Sequence, residues 1–449
     1  MTNSSNAFTA PVSQQERIVI LDSLRGFAIL GILLMNIPSF AMPSPANHDP
    51  SVLNEWGTID FKTWFIVDWI PEGTQRAIFS MLFGAGILLF IGGKEKRLDG
   101  MMPADYFFRR QLWLIVFSLF DVFVLLWLGD ILLDYACLGM LMFAFRNLPP
   151  KKLLIGAAFC FIFMLARENR NLYLDKETIH RGELVAAIDT TKTKLSFIQK
   201  DQLVAMQDFK DRTTMVSKLK RTEKNIEKNT SSYKTLYEYR TSEYIDDLVT
   251  YLFLGIWDVL LFMFLGMAFF KMGILTGQAS VKIYLWMTVI GLGVGLTISY
   301  FRLQQMIDVK FNWYDYTKQV WFSYYELSRT FRSIGIFGSI MLLYKSGLFK
   351  WLFALLRPVG QMAFTNYLMQ SLMCGLFFYG VGFGMFGKLQ RHEIYYVVAA
   401  VWTIQIIYSN IWLYYFRFGP MEWAWRSLTY WKKQPMKKNN SSTDTVVMS

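Results

Sequence analysis

The side chains best equipped for chemistry in this sequence are those that interrupt its apolar runs. In LDSLRGFA at 21–28, Asp22 and Arg25 stand three apart, where they can neutralise each other on one helix face. Gly26 removes a side chain beside them, so that another helix or a ligand can approach. Two readings fit. The first is a buried ion pair that fixes packing. The second is an anion site in which Arg25 offers its planar donor fork to phosphate or carboxylate. A second set, Arg76, Asp121, Asp130, Asp134, Asp258, Arg329 and Arg332, sits toward the opposite ends of other apolar runs, with Asn366 as an uncharged companion. An ionisable group inside such a run costs roughly 2.5–3.5 kcal/mol, so each needs a partner or a wet cavity. Ion pairing across helices and a polar substrate cavity both meet that need.

Histidine occurs at His48, His180 and His392, none at ligand spacing to another, and no metal site is expected. His48, in PANHDP at 45–50, lies in the loop that follows the charged first run. It is either an exposed loop residue without a task or a base that titrates near neutrality. Cys137, Cys160 and Cys374 fall within apolar runs, where thiols pack as small hydrophobes, and no CxxC metal motif is present.

The elements that must position these residues are membrane helices. Charged types make up only 18 % of the 449 residues and hydrophobic types 53 %, too apolar for an ordinary soluble domain. Apolar runs at 18–37, 75–93, 112–128, 131–145, 153–166, 248–270, 283–300, 331–344, 363–379 and 395–416 predict an all-α polytopic bundle of about ten transmembrane helices. Lys and Arg gather in alternate loops, which places the N and C termini in the cytoplasm and accounts for the net charge of +12 without nucleic acid. The first run has no cleavage site after it and reads as a retained anchor.

The chain then divides into a disordered cytoplasmic leader at 1–17, a first transmembrane half at 18–166, an extracytoplasmic insert at 167–247, a second half at 248–430 and a basic cytoplasmic tail at 431–449. The insert carries 16 Lys/Arg and 14 Asp/Glu, with apolar residues at roughly helical spacing. It predicts one or two amphipathic helices broken near 229–232, read most simply as a solvated hairpin with no site of its own. FKTWFIVDWI at 61–70 predicts a helix in the outer interface, and NWYDYTKQVWFSYY at 312–325 an aromatic anchor or the mouth of a cavity. After the last span, Glu422 and Arg426 are spaced to pair on an interfacial helix.

LDSLRGFAILGILLMNI at 21–37 resembles the opening helix of the YeiB-like family of bacterial membrane proteins, known as domain of unknown function 418. FSMLFGAG at 79–86, GDILLDYA at 129–136, LGMA at 265–268, GQMAFTNYLMQS at 360–371 and FGPMEWAWRSLTY at 418–430 extend the resemblance. That family is distantly similar to transmembrane acyltransferases, in which cytosolic acyl-CoA supplies an acyl group to an acceptor on the far side. The resemblance implies no permanently bound cofactor and acyl-CoA as co-substrate. It implies donor binding at Asp22, Arg25 and Gly26, with His48 catalytic. Expected partners are the bilayer, an envelope glycan or lipid acceptor, and further copies of the chain in a homo-oligomer. A small-molecule transporter using the same buried charges, or a non-catalytic scaffold, are the competing readings.

Overall fold

A computed structural model describes residues 18–95 and 102–438. The leader 1–17, the basic stretch around Lys96 and Arg97, and the end of the tail at 439–449 lie outside the described residues. Among the described residues the chain is helical without a strand, and its one isolated bridge joins Phe416 to Lys437.

The order opens with α1 (Val19–Ala41), the short α2 (Ser44–Asn47), α3 (Ile59–Trp69), α4 (Thr74–Glu95), α5 (Met102–Phe123) and α6 (Leu132–Met142). The insert region follows as α7 (Pro150–Ala186), α8 (Phe197–Arg212), α9 (Met215–Asn229) and α10 (Tyr233–Leu254). The second half holds α11 (Ile256–Lys271), α12 (Val281–Asp308), α13 (Trp313–Gln319), α14 (Tyr325–Ser346), α15 (Lys350–Gln361), α16 (Ala363–Phe378), α17 (Arg391–Tyr415) and α18 (Pro420–Tyr430).

Among the described residues four stretches are long and apolar enough to cross a membrane: α1, the Ile59–Gly93 run through α3 and α4, α12 and α17. The remaining expected spans are shorter or more polar than hydropathy alone suggested. The run at 248–270 is divided at Gly255 between the end of α10 and the 16-residue α11. The run at 153–166 is the start of α7, which continues 37 residues into the insert. Exposed apolar side chains recur at helical spacing on α5 (Leu112, Val116, Leu119), α7 (Ile155, Phe159, Ile162), α12 (Trp286, Val289, Ile290) and α17 (Ile404, Ile407, Ile411). Outward faces of this kind suit hydrocarbon, whereas soluble monomers rarely expose large contiguous apolar patches.

At the centre stands α11, buried on every side from Asp258 to Phe269. It meets α4 where Gly84 and Gly266 leave no room for a Cβ: one at Gly266 would lie 2.0 Å from the Met81 carbonyl oxygen. The same device joins α1 to α15. A Cβ on Gly26 would come within 2.2 Å of the Leu356 carbonyl oxygen, and one on Gly360 within 1.8 Å of that of Asp22.

The insert differs from the expected solvated hairpin. Its break falls between α9 and α10 at 230–232, as the NTSS sequence suggests. Yet α9 is docked by its polar face: Lys218, Thr222, Asn225 and Asn229 are buried, while Val216 and Leu219 face outward. Hydrogen bonds hold this polar face, with Asn225 Oδ1 accepting from the Ser44 amide at 3.2 Å and Asn229 Oδ1 from Arg240 at 2.7 and 2.9 Å. Near the C-terminus, Glu422 turns away from the expected surface pair with Arg426. Its carboxylate accepts from the Phe364 and Thr365 amides at 2.8 and 3.0 Å, satisfying the donors that open α16.

Gly26→Val should therefore lower the melting temperature of the detergent-solubilised protein, because overpacking of this kind costs about 1–3 kcal/mol. A melting curve that superimposes on wild type would show that the α1–α15 crossing has room to spare.

Candidate functional site

Two adjoining cavities, of about 270 and 230 Å³, lie at the end of the bundle that carries the α1–α3 connection and the insert. Both are lined by His48, Trp64, Asp68, Glu72 and Tyr325; the larger adds Arg76, Arg329, Arg391 and Tyr395.

His48 reaches the cavity because α1 stops at Ala41 and the prolines around α2 prevent it from continuing. Arg391, at the start of α17, then pins the connection. Its guanidinium donates to the carbonyls of Ala46 and Asn47 at 2.6 and 2.9 Å and to Glu55 at 2.7 Å. With its backbone held, the His48 side chain stays 76 % exposed to the cavity and brings Nδ1 to 3.6 Å from Asp68 Oδ1. The contact with the Asp68 carboxylate raises the His48 pKa, outweighing the opposing effect of burial among protein atoms. Burial pushes the Glu55 carboxyl up in spite of Arg391.

Asp68 is fixed in turn. On α3, Asp60, Trp64 and Asp68 recur every four residues as the buried face. Arg332 Nη1 donates to the carbonyls of Asp68 and Trp69, both at 3.0 Å, closing the C-terminal end of that helix. Gly73, at φ +72°, then turns the chain into α4. Below this, Asp258 of α11 is shared by Arg76 of α4 and Arg329 of α14, the latter at 2.8 Å. Arg329 also pairs with Glu326, and Tyr325 donates to Glu72 at 2.8 Å.

The structure thus brings together His48, Arg76, Asp258, Arg329 and Arg332. It places the other sequence candidates elsewhere. Asp130 accepts from Ser118, from Tyr367 at 3.2 Å and from the Leu132 and Leu133 amides at 3.2 and 3.3 Å, so it organises the start of α6. Asp121 is buried on α5 beside Asp130 and Ser371. Asp134, farther along α6, lines neither cavity. Asn366 donates to Ser409 at 2.9 Å and to the Val359 carbonyl at 3.1 Å, tying α16 to α17 and α15.

Asp22, Arg25 and Gly26 form a separate locus at the other end of α1. Arg25 donates to Asp22 at 2.8 Å, and Gln361 donates to the second Asp22 oxygen at 3.1 Å. The space beside Gly26 is taken by the α15 backbone rather than left for a ligand. Arg25 remains 30 % exposed, and Arg110 has both Arg25 and Arg426 as electrostatic neighbours. Neither cavity touches this locus.

Sequence reasoning missed Asp68, Glu72, Glu55, Trp64, Tyr395 and Arg391. The four-residue spacing of Asp60, Trp64 and Asp68 was a usable signal for one buried helix face. The contacts of Arg391 span more than 330 positions and left no local trace.

A family model described as "Protein of unknown function (DUF418)" matches residues 269–432. The chain is 28 % identical over 453 residues to YxaH of Bacillus subtilis, covering 95 % of this chain and 98 % of that protein. It is also 28 % identical over 418 residues to YeiB of Escherichia coli, covering 92 % and 96 %. Both relatives are named as uncharacterized proteins. No solved structure matches. The chain is thus similar end to end to YeiB and YxaH, and the DUF418 match runs from the end of α11 through α18.

Proposed function

We propose that this protein is a membrane acyltransferase whose acceptor site is the His48 cavity. In this reading ten helices cross the bacterial cytoplasmic membrane, both termini lie in the cytoplasm, and the insert and the cavity face outward. The apolar outer faces of α5, α7, α12 and α17 and the basic residues of alternate loops support that placement.

The observation that carries the reading is the His48–Asp68 pair at the wall of a polar cavity. With Nδ1 turned toward Asp68, Nε2 is the nitrogen left for the cavity. As a general base it takes the proton from an acceptor hydroxyl or amine. The acceptor oxygen or nitrogen then forms a bond to the thioester carbonyl carbon, the carbon–sulfur bond breaks, and the CoA thiolate leaves to be protonated. Arg25, with Arg110 and Arg426 near it, supplies cationic groups for the phosphates of a cytosolic acyl-CoA, and an envelope sugar or lipid is the acceptor.

One observation favours a small-molecule transporter instead. Gln75, which lines the larger cavity, packs against Gly31, where a Cβ would lie 2.4 Å from its side chain, and neither cavity includes the Arg25 locus.

Single cysteines separate inside from outside. One replacing Val216 of α9 should be labelled by an impermeant maleimide in intact right-side-out vesicles, and one replacing Lys433 should be protected. The reversed pattern overturns the topology.

Purified protein in proteoliposomes should transfer labelled acyl groups from acyl-CoA to an envelope fraction, and His48→Ala should reduce the rate on the order of 10²–10⁴-fold. The neutral imidazole is the active form, so the rate should fall as pH drops through a His48 pKa held above its ordinary value. Asp68→Asn removes the group that raises it and should move that limb to lower pH. Uptake of small molecules without CoA, in the absence of transfer, would favour the transporter.

Arg25→Lys keeps the charge but loses the bidentate fork, so it should weaken acyl-CoA binding in equilibrium titrations while the fold persists. Unchanged affinity would confine Arg25 to its ion pair with Asp22.

A further inference from the structure

The α9 helix of the insert contributes one long cation to the bundle, and its destination is the wall of the cavity. The Lys218 side chain is only 11 % exposed. Its Nζ donates to Asp49 Oδ2 at 2.6 Å and to the Phe311 carbonyl at 2.9 Å. Asp49 is the residue after His48, and its other oxygen accepts from the Ser51 amide at 2.9 Å, which sets the turn leaving the histidine. Phe311 lines the smaller cavity, with its ring edge-on to Trp64 at 5.0 Å between centroids. Lys310 and Phe311 both have positive φ, +50° and +59°, a backbone that side-chain-bearing residues hold only when the surroundings impose it.

One ammonium group therefore ties two cavity walls that are far apart in sequence; beside it on α9, Asn225 and Asn229 make hydrogen bonds and Ile226 packs near Gly387. An apolar residue at 218 could seal the surface but could not hold the loop and the Phe311 turn in register. We infer that Lys218 is a positioning residue for His48, and that the insert latches the His48 loop in the geometry that sets Nδ1 against Asp68.

The groups that face His48 are Asp68 and Glu72, which favour its protonated form, and Arg302, which opposes it; Asp49 lies next to it in the chain and Arg391 holds the backbone before it. Lys218 does not touch the imidazole. Its loss therefore acts in two opposed ways: withdrawal of His48 from Asp68 lowers the midpoint, and the Asp49 carboxylate left unpaired raises it.

The inference rests on the cavity geometry used in the proposed function, but its readout needs no substrate, so it can fail while acyl transfer stands and the reverse. The imidazole titration of His48 is followed by NMR in full-length protein with labelled histidine, its resonance assigned by loss in His48→Ala. In Lys218→Met the downward shift produced by adding Asp68→Asn should shrink well below its wild-type size, and Lys218→Arg should preserve it. If Lys218→Met does not fold, Asp49→Asn carries the test, since it removes the carboxylate that Lys218 holds while leaving an oxygen for Ser51. Removing that nearby negative charge lowers the midpoint by itself, so its arm is read against Asp49→Asn combined with Asp68→Asn. A further fall on adding Asp68→Asn that is as large as in wild type would show that His48 still meets Asp68 without the latch. An Asp68→Asn shift as large in a folded Lys218→Met protein as in wild type would equally overturn the inference and leave Lys218 a purely structural anchor.

Discussion

Everything at the insert end of the bundle depends on how a carboxylate buried on the central helix is neutralised. Asp258 sits on α11 where that helix is enclosed on all sides, and it is held between Arg76 of α4 and Arg329 of α14. A buried charge without its partner costs about 3–5 kcal/mol, so these three helices can meet in only one register. Once α14 is fixed, Arg332, one turn on, reaches the carbonyls that end α3, and α3 presents Asp68. Arg391 does the equivalent work for the loop bearing His48. The cavity exists because its walls are tied by directional polar contacts, which hold elements apart at fixed distances where apolar side chains would have closed the space.

The bundle has two differently built ends. At one, charged groups from α3, α4, α14, α17 and the α3–α4 connection converge around His48 and leave about 270 Å³ open. At the other, Asp22 and Arg25 stand at a crossing where Gly26 and Gly360 bring α1 and α15 into backbone contact. The signature LDSLRG therefore serves two needs: its glycine packs a helix, and its arginine stays partly exposed beside other cations. α1 connects the ends. A donor held at Arg25 must deliver its acyl group along about 16 Å of helix rise to the level of Asn36 in the cavity wall, past Gln75. Movement of Gln75 away from Gly31 is the step that the proposed chemistry requires and the described geometry does not contain.

Helical character, the break between α9 and α10, and the value of charges in apolar runs were legible in the sequence, because each is a local pattern. Arg76, Asp258, Arg329 and Arg332 could be named as candidates from their cost alone, and they do meet. Asp130 and Asn366 followed the same logic and turned out to serve helix starts and helix contacts, since a buried polar group is satisfied equally well by structure as by a substrate. The docking of α9 was not legible: its apolar spacing suggested which face should be buried, and the long-range partners Asp49, Ser44 and Arg240 reversed the choice. Division of the 248–270 run at Gly255 was hidden because hydropathy does not register a helix break flanked by apolar residues.

The most direct measurement of the central claim is a cryo-EM map of the protein in lipid nanodiscs with a non-hydrolysable acyl-CoA analogue. The account predicts density for the nucleotide phosphates beside Arg25, Arg110 and Arg426, with the acyl end directed past a displaced Gln75 toward His48. A map in which the analogue is absent from the bundle at saturating concentration, with Gln75 still packed on Gly31, would contradict acyl transfer through this site.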